Sequence, residues 1–96
     1  MKLLIIEQPT LDECFDKVVE EYNELRTEHF LSKSIDDVFA EGMDLMQATY
    51  SYLLKVAEYD LDRIDEANKK HIAKLLGRGH VIAGSIGIDG VQNDEL

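Results

Sequence analysis

Two pairs of carboxylates stand three residues apart in this chain: Glu21 and Glu24 within Glu20-Glu21-Tyr22-Asn23-Glu24, and Glu41 and Asp44 within Glu41-Gly42-Met43-Asp44. Residues three apart are neighbours on a helix surface, so each pair can offer oxygens to one point. Two such helices packed antiparallel bring four carboxylates together. An all-oxygen donor set with an open side suits Mg²⁺, which keeps waters and substrate phosphates as its remaining ligands, and Mn²⁺ accepts the same donors. Such an ion neutralises charge growing on phosphate oxygens, while a nearby carboxylate orients or deprotonates the attacking water. With 20 acidic residues against 10 basic ones, the same pairs also arise on merely solvated helix faces. Their position relative to the apolar stripes separates the two readings.

The elements that must carry these pairs are helices. Thr10 with Glu13 forms an S/T-x-x-E capping box, and Leu11, Cys14, Phe15, Val18, Val19, Tyr22 and Leu25 recur at i, i+3, i+4 spacing, which predicts a first helix over about 11–29. Ser34 and Asp37 supply the next N-terminal signal. A long second helix follows over about 34–59, with Ile35, Val38, Phe39, Gly42, Met46, Thr49, Tyr50, Leu53, Val56 and Ala57 along one side and Leu45, Ala48 and Tyr52 widening it. Asp60 or Asp62 caps a third helix over about 61–76, with Leu61, Ile64, Ala67, His71, Ile72 and Leu75 inward and Gly77 ending it in the left-handed conformation. The glycine-rich stretch 81–96 reads as a non-helical tail. The expected fold is all-α: one domain of 96 residues with its core at about 10–80, three main helices in a small bundle, and non-helical ends.

At about 100° per residue, Glu21 falls at the edge of the first apolar stripe near Cys14, Glu24 flanks it, and Glu20 points away. On the second helix Glu41 sits by Leu45, Ala48 and Tyr52, with Asp44 beside it. Glu21 and Glu41 are thus drawn towards apolar surroundings, which costs free energy unless a cation balances them. Gly42, inside this helix, costs about 1 kcal/mol against alanine and predicts close approach of another helix or an unusually shaped site.

The pattern Glu20-Glu21-x-x-Glu24, a 16-residue gap, then Glu41-x-x-Asp44 resembles the EExxE…ExxD motif of MazG-like nucleotide pyrophosphohydrolases, of the all-α NTP pyrophosphatase superfamily. The resemblance covers about residues 11–80. The run Asp44-Leu45-Met46-Gln47-Ala48 and the Arg78-Gly79-His80 corner look like those of small phage- or Firmicute-type members. It implies a metal-dependent hydrolase that cleaves an NTP or dNTP between the α and β phosphorus atoms, giving a monophosphate and pyrophosphate. It implies Glu21, Glu24, Glu41 and Asp44 as ligands of Mg²⁺ or Mn²⁺, with Glu20 or Glu24 as the catalytic base. It also implies phosphate contacts from the third helix: Asn68, Lys69 or Lys70, Lys74 and Arg78. Lys70, Lys74 and Arg78 follow i, i+4, i+8 and form a ridge suited to phosphates, although cations near a helix C-terminus also complement its dipole. With no tryptophan in the chain, any base stacking falls to Phe15, Phe30, Phe39 or a tyrosine.

Composition narrows the alternatives. A formal charge of −10 disfavours a nucleic acid polymer as partner. Cys14 is the single cysteine, placed in the apolar stripe without a histidine base, and reads as packing in a reducing, cytoplasmic setting. His29, His71 and His80 lack zinc spacing, and His71 reads as a core-edge residue. Leu3-Leu4-Ile5-Ile6 is too short for an export signal or membrane span. The small size and the wide apolar face of the second helix predict a homo-oligomer, dimer or tetramer. Two rivals stand beside the main reading. One is a phosphoribosyl-ATP or dUTP/dCTP pyrophosphohydrolase with the same cage, and the other is a non-catalytic acidic helical module that binds a protein partner.

Overall fold

A computed structural model describes residues 2–7, 9–31 and 34–87. Three helices account for its regular structure: α1 (Leu11–Leu31), α2 (Ile35–Val56) and α3 (Leu61–Gly77), with no strand among the described residues. All three helices start on local capping chemistry. Thr10 Oγ1 accepts from Glu13 N–H at 3.1 Å, Ser34 Oγ from Asp37 N–H at 3.3 Å, and Asp60 Oδ1 from Asp62 N–H at 3.0 Å.

The helix ends depart from the expected ones. α1 runs two residues past 29, and α2 stops at Val56 rather than 59. The stop is a turn over 57–59 in which Glu58 and Tyr59 adopt φ of 53° and 60°, a left-handed conformation that L-residues enter at a cost of about 1 kcal/mol or more each. Tyr59 N–H is repaid by Leu54 C=O at 2.8 Å. At the end of α3 it is Gly79, at φ 77°, that takes the left-handed position; Gly77 is the last helical residue. The tail is non-helical over 81–87, and its remainder lies outside the described residues.

α2 runs back along α1. Early α1 residues therefore meet late α2 residues, as in the Phe15–Tyr52 ring pair with centroids 6.1 Å apart. The seam is not centred on the sequence stripe. Cys14 and Glu21 of α1 and Ala48, Ser51 and Leu54 of α2 are buried, while Phe15, Val19 and Tyr22 remain exposed on the other flank of α1. α3 touches α2 alone and buries no residue, so Ala67, His71 and Ile72 are exposed, against the expectation that they point inward.

Gly42 meets no neighbour: a Cβ there would find nothing within 4 Å, so no helix of the same chain explains it. It lines an open apolar groove with Leu25, Val38, Phe39, Met43 and Met46. Among the described residues, Cys14, Ala48, Leu54 and Ala57 are the only buried apolar side chains, whereas Phe30, Ile35 and Phe39 are 70, 73 and 67% exposed. A fully buried large aliphatic or aromatic side chain contributes about 1.5–3 kcal/mol, and one Leu54 cannot offset the entropy of ordering three helices. Self-association is the expected remedy. Sedimentation at micromolar concentration should report a dimer or larger species, and a stable folded monomer would contradict the expectation.

Candidate metal centre

Glu21 reaches the seam because α1 meets α2 along its Cys14 side, one edge of the amphipathic stripe. Its carboxylate is 7% exposed, and Lys17, one turn earlier, places Nζ 2.9 Å from Glu21 Oε1 and 3.4 Å from Glu20 Oε1. Across the seam α2 presents Glu41, half-buried, and Asp44, exposed; Glu24 lies exposed one turn beyond Glu21. One oxygen from each of Glu21, Glu24, Glu41 and Asp44 lies within 4.8 Å of the others. The structure thus brings together the four carboxylates expected from the two spaced pairs.

Two oxygens in this cluster are buried without a hydrogen-bond partner, Glu21 Oε2 and Glu41 Oε2. For these two carboxylates, like charges 4.8 Å apart repel by about 3.5 kcal/mol at an effective dielectric of 20, and Lys17 sets an ammonium against the group. Buried unpaired oxygens converging on one point are what a cation would satisfy. The cluster can bind a metal ion. The strain shows in Glu24, whose pKa is pushed up to about 7, chiefly by the Glu21 carboxylate through hydrogen bonding and charge, then by desolvation and by Glu41. Lys17 is shifted above the usual lysine value, first by its bond to Glu21.

No family model, no curated protein and no solved structure matches this chain.

A hollow opens on each side of the cluster. One, of about 260 Å³, is lined by Glu21 and Asp44 with Lys17, Cys14, Ile6, Gln47, Ala48 and Ser51. Its outer wall depends on a clamp: the Gln47 side chain accepts from Leu4 N–H at 2.6 Å, and its Nε2 donates to Leu4 C=O at 2.7 Å and to Ser51 Oγ at 3.1 Å. The N-terminal segment is thereby held against α2. The other hollow, of about 350 Å³, is lined by Glu20, Asn23, Glu24, Thr27, Glu28 and Glu41, with no cation among its described lining residues.

Glu20 lies exposed outside the four-carboxylate cluster, as its outward position on the wheel predicts. The structure does not bring the third-helix residues to the carboxylates: Asn68, Lys70, Lys74 and Arg78 are exposed, and no α3 residue lines either hollow. Lys69 pairs with Glu66 on the same helix, Nζ–Oε1 3.2 Å. Lys17, Gln47 and Ser51 were not singled out from sequence. The available signal was Lys17 four residues before Glu21 on the same helix face.

No described helix is long and apolar enough to cross a membrane.

Proposed function

We propose that this chain is a metal-dependent nucleoside triphosphate pyrophosphohydrolase that cleaves an NTP or dNTP to the monophosphate and pyrophosphate. The observation that carries the reading is the convergence of Glu21, Glu24, Glu41 and Asp44, with buried, unpartnered oxygens on Glu21 and Glu41. The resemblance of the EExxE…ExxD motif to the MazG-like family supplies the reaction. An all-carboxylate donor set favours Mg²⁺ or Mn²⁺ over softer ions. When bound, such an ion supplies charge neutralisation for the phosphate oxygens in the transition state.

The protein's own residues divide the remaining work. Glu21 and Glu41, fixed in the seam between two helices, give the cage its rigid half, and Glu24 and Asp44, exposed, close its outer half. Glu20 and Glu24 face the acidic hollow, where a carboxylate can orient a water and take its proton. Ordinary and damaged NTPs and dNTPs are the substrate class, with phosphoribosyl-ATP and dUTP or dCTP as the nearest alternatives within the same chemistry.

The test is direct. Purified protein with Mg²⁺ or Mn²⁺ should convert at least one member of an NTP and dNTP panel to the monophosphate plus pyrophosphate. Free phosphate released without pyrophosphate contradicts cleavage between the α and β phosphorus atoms. Silence across the panel, with phosphoribosyl-ATP included, favours the non-catalytic binding module.

A further inference from the structure

Among the described residues lining the two hollows beside the carboxylates, Lys17 is the one cation. A polyphosphate approaching the cluster meets four carboxylates, Glu20, Glu24, Glu28 and Glu41, on one side and two, Glu21 and Asp44, accompanied by Lys17 on the other. Repulsion closes the first path to an anion, so the phosphate chain belongs on the Lys17 side. Lys17 is also tied to the cluster itself, since its Nζ sits 2.9 Å from Oε1 of Glu21, the carboxylate whose other oxygen is buried without a partner. Its side chain is 46% exposed, and a four-carbon stem lets the ammonium turn from Glu21 into the adjoining hollow.

We infer that Lys17 is the phosphate-contacting cation of this site and that it exchanges Glu21 for a substrate phosphate when a divalent cation occupies the carboxylates. The inference rests on the proposed function and deepens it by giving the phosphate chain a side of the cluster and a residue. The cation and the ammonium oppose each other at Glu21, because both are positive and both lean on the charge of one carboxylate. A phosphate carried by the cation removes the conflict: it neutralises part of the added charge and offers Lys17 a charge-assisted partner. Lys17 therefore opposes the metal alone and favours the metal together with polyphosphate. A residue that merely propped up Glu21 would not give this pair of opposite signs.

The experiment compares wild type, Lys17→Met and Lys17→Arg in two titrations, Mn²⁺ alone followed by electron paramagnetic resonance, and pyrophosphate at saturating Mg²⁺ followed by calorimetry. Lys17→Met should bind Mn²⁺ at least as tightly as wild type and lose about tenfold or more in pyrophosphate affinity, the scale of a charge-assisted hydrogen bond. Lys17→Arg should retain most of that affinity. Weaker Mn²⁺ binding by a Lys17→Met protein of unchanged helicity, or unchanged pyrophosphate affinity, overturns the inference; Lys17→Gln replaces Met if helicity falls. Failure of the Mg²⁺-loaded wild type to bind pyrophosphate overturns it too. A wild type that binds both ligands yet hydrolyses no nucleotide overturns the proposed reaction instead, and leaves Lys17 to be decided by the two titrations.

Discussion

Glu41→Gln is expected to abolish hydrolysis and, in the same molecule, to make the EDTA-treated protein more stable. The two effects have one origin. Glu41 Oε2 is buried without a partner, and one of its oxygens lies within 4.8 Å of an oxygen from each of Glu21, Glu24 and Asp44. Removing that charge relieves repulsion, and the amide can donate to the carboxylates around it. A buried polar group left unsatisfied costs about 1–3 kcal/mol, so a gain on that scale follows. In a chain this size it corresponds to a rise of several degrees in the melting midpoint, at roughly 4–8 °C per kcal/mol. Loss of a charged metal ligand weakens metal binding and with it the ion's neutralisation of transition-state charge, and losing one electrostatic contact at a transition state costs about 10²-fold or more in rate. Asp44→Asn should lose activity likewise, with a smaller stability gain because Asp44 is exposed. Glu20→Gln, outside the cluster, should leave Mn²⁺ affinity unchanged. Full activity in Glu41→Gln, or a fall in its metal-free midpoint, would show that these carboxylates do something other than hold a cation.

How much of this was legible in the sequence depends on the range of each interaction. The cluster was legible because it depends on short-range facts: i, i+3 spacing within each helix, and the packing of two consecutive helices against each other. The helix starts were legible for the same reason, since Thr10, Ser34 and Asp60 cap within their own turns. The end of α2 was not, because Glu58 and Tyr59 take left-handed angles that no glycine announces. The seam itself was misjudged by about one flank. An apolar stripe as wide as that of α1 does not say which edge one partner will take; the edge taken, at Cys14 and Glu21, leaves Phe15 and Tyr22 exposed. The same ambiguity put the inward face of α3 against a core that one chain does not supply. Lys17 and Gln47 were hidden for another reason. A lysine on a helix is usually a solvated charge, and Gln47 acts through the backbone of Leu4, 43 residues away, a pairing no local pattern encodes.

Metal affinity should climb with pH and level off near neutrality, while the metal-free protein loses stability over the same range. Glu24 controls both. Its pKa is pushed from an ordinary 4.5 up to about 7, first by Glu21, so between those values the folded metal-free chain holds a proton that the unfolded chain has released. A raised folded-state pKa contributes stability that is fully present below about 4.5 and is lost as pH rises through about 7. A divalent cation on the cluster requires Glu24 ionised, so binding below about 7 expels that proton. With one proton released, affinity rises about tenfold per pH unit up to that point and then becomes flat. The thermal shift produced by Mg²⁺ should therefore be larger at pH 8 than at pH 5.5, even though the metal-free midpoint is lower at pH 8. Midpoints measured with EDTA and with saturating Mg²⁺ across this range check both halves. Glu24→Gln, which cannot ionise, should remove the pH dependence of the metal-free midpoint contributed by this group and weaken Mn²⁺ binding at every pH. A metal-dependent shift that stayed constant from pH 5.5 to 8 would mean that the cation binds without displacing the Glu24 proton, and so binds elsewhere than between these four carboxylates.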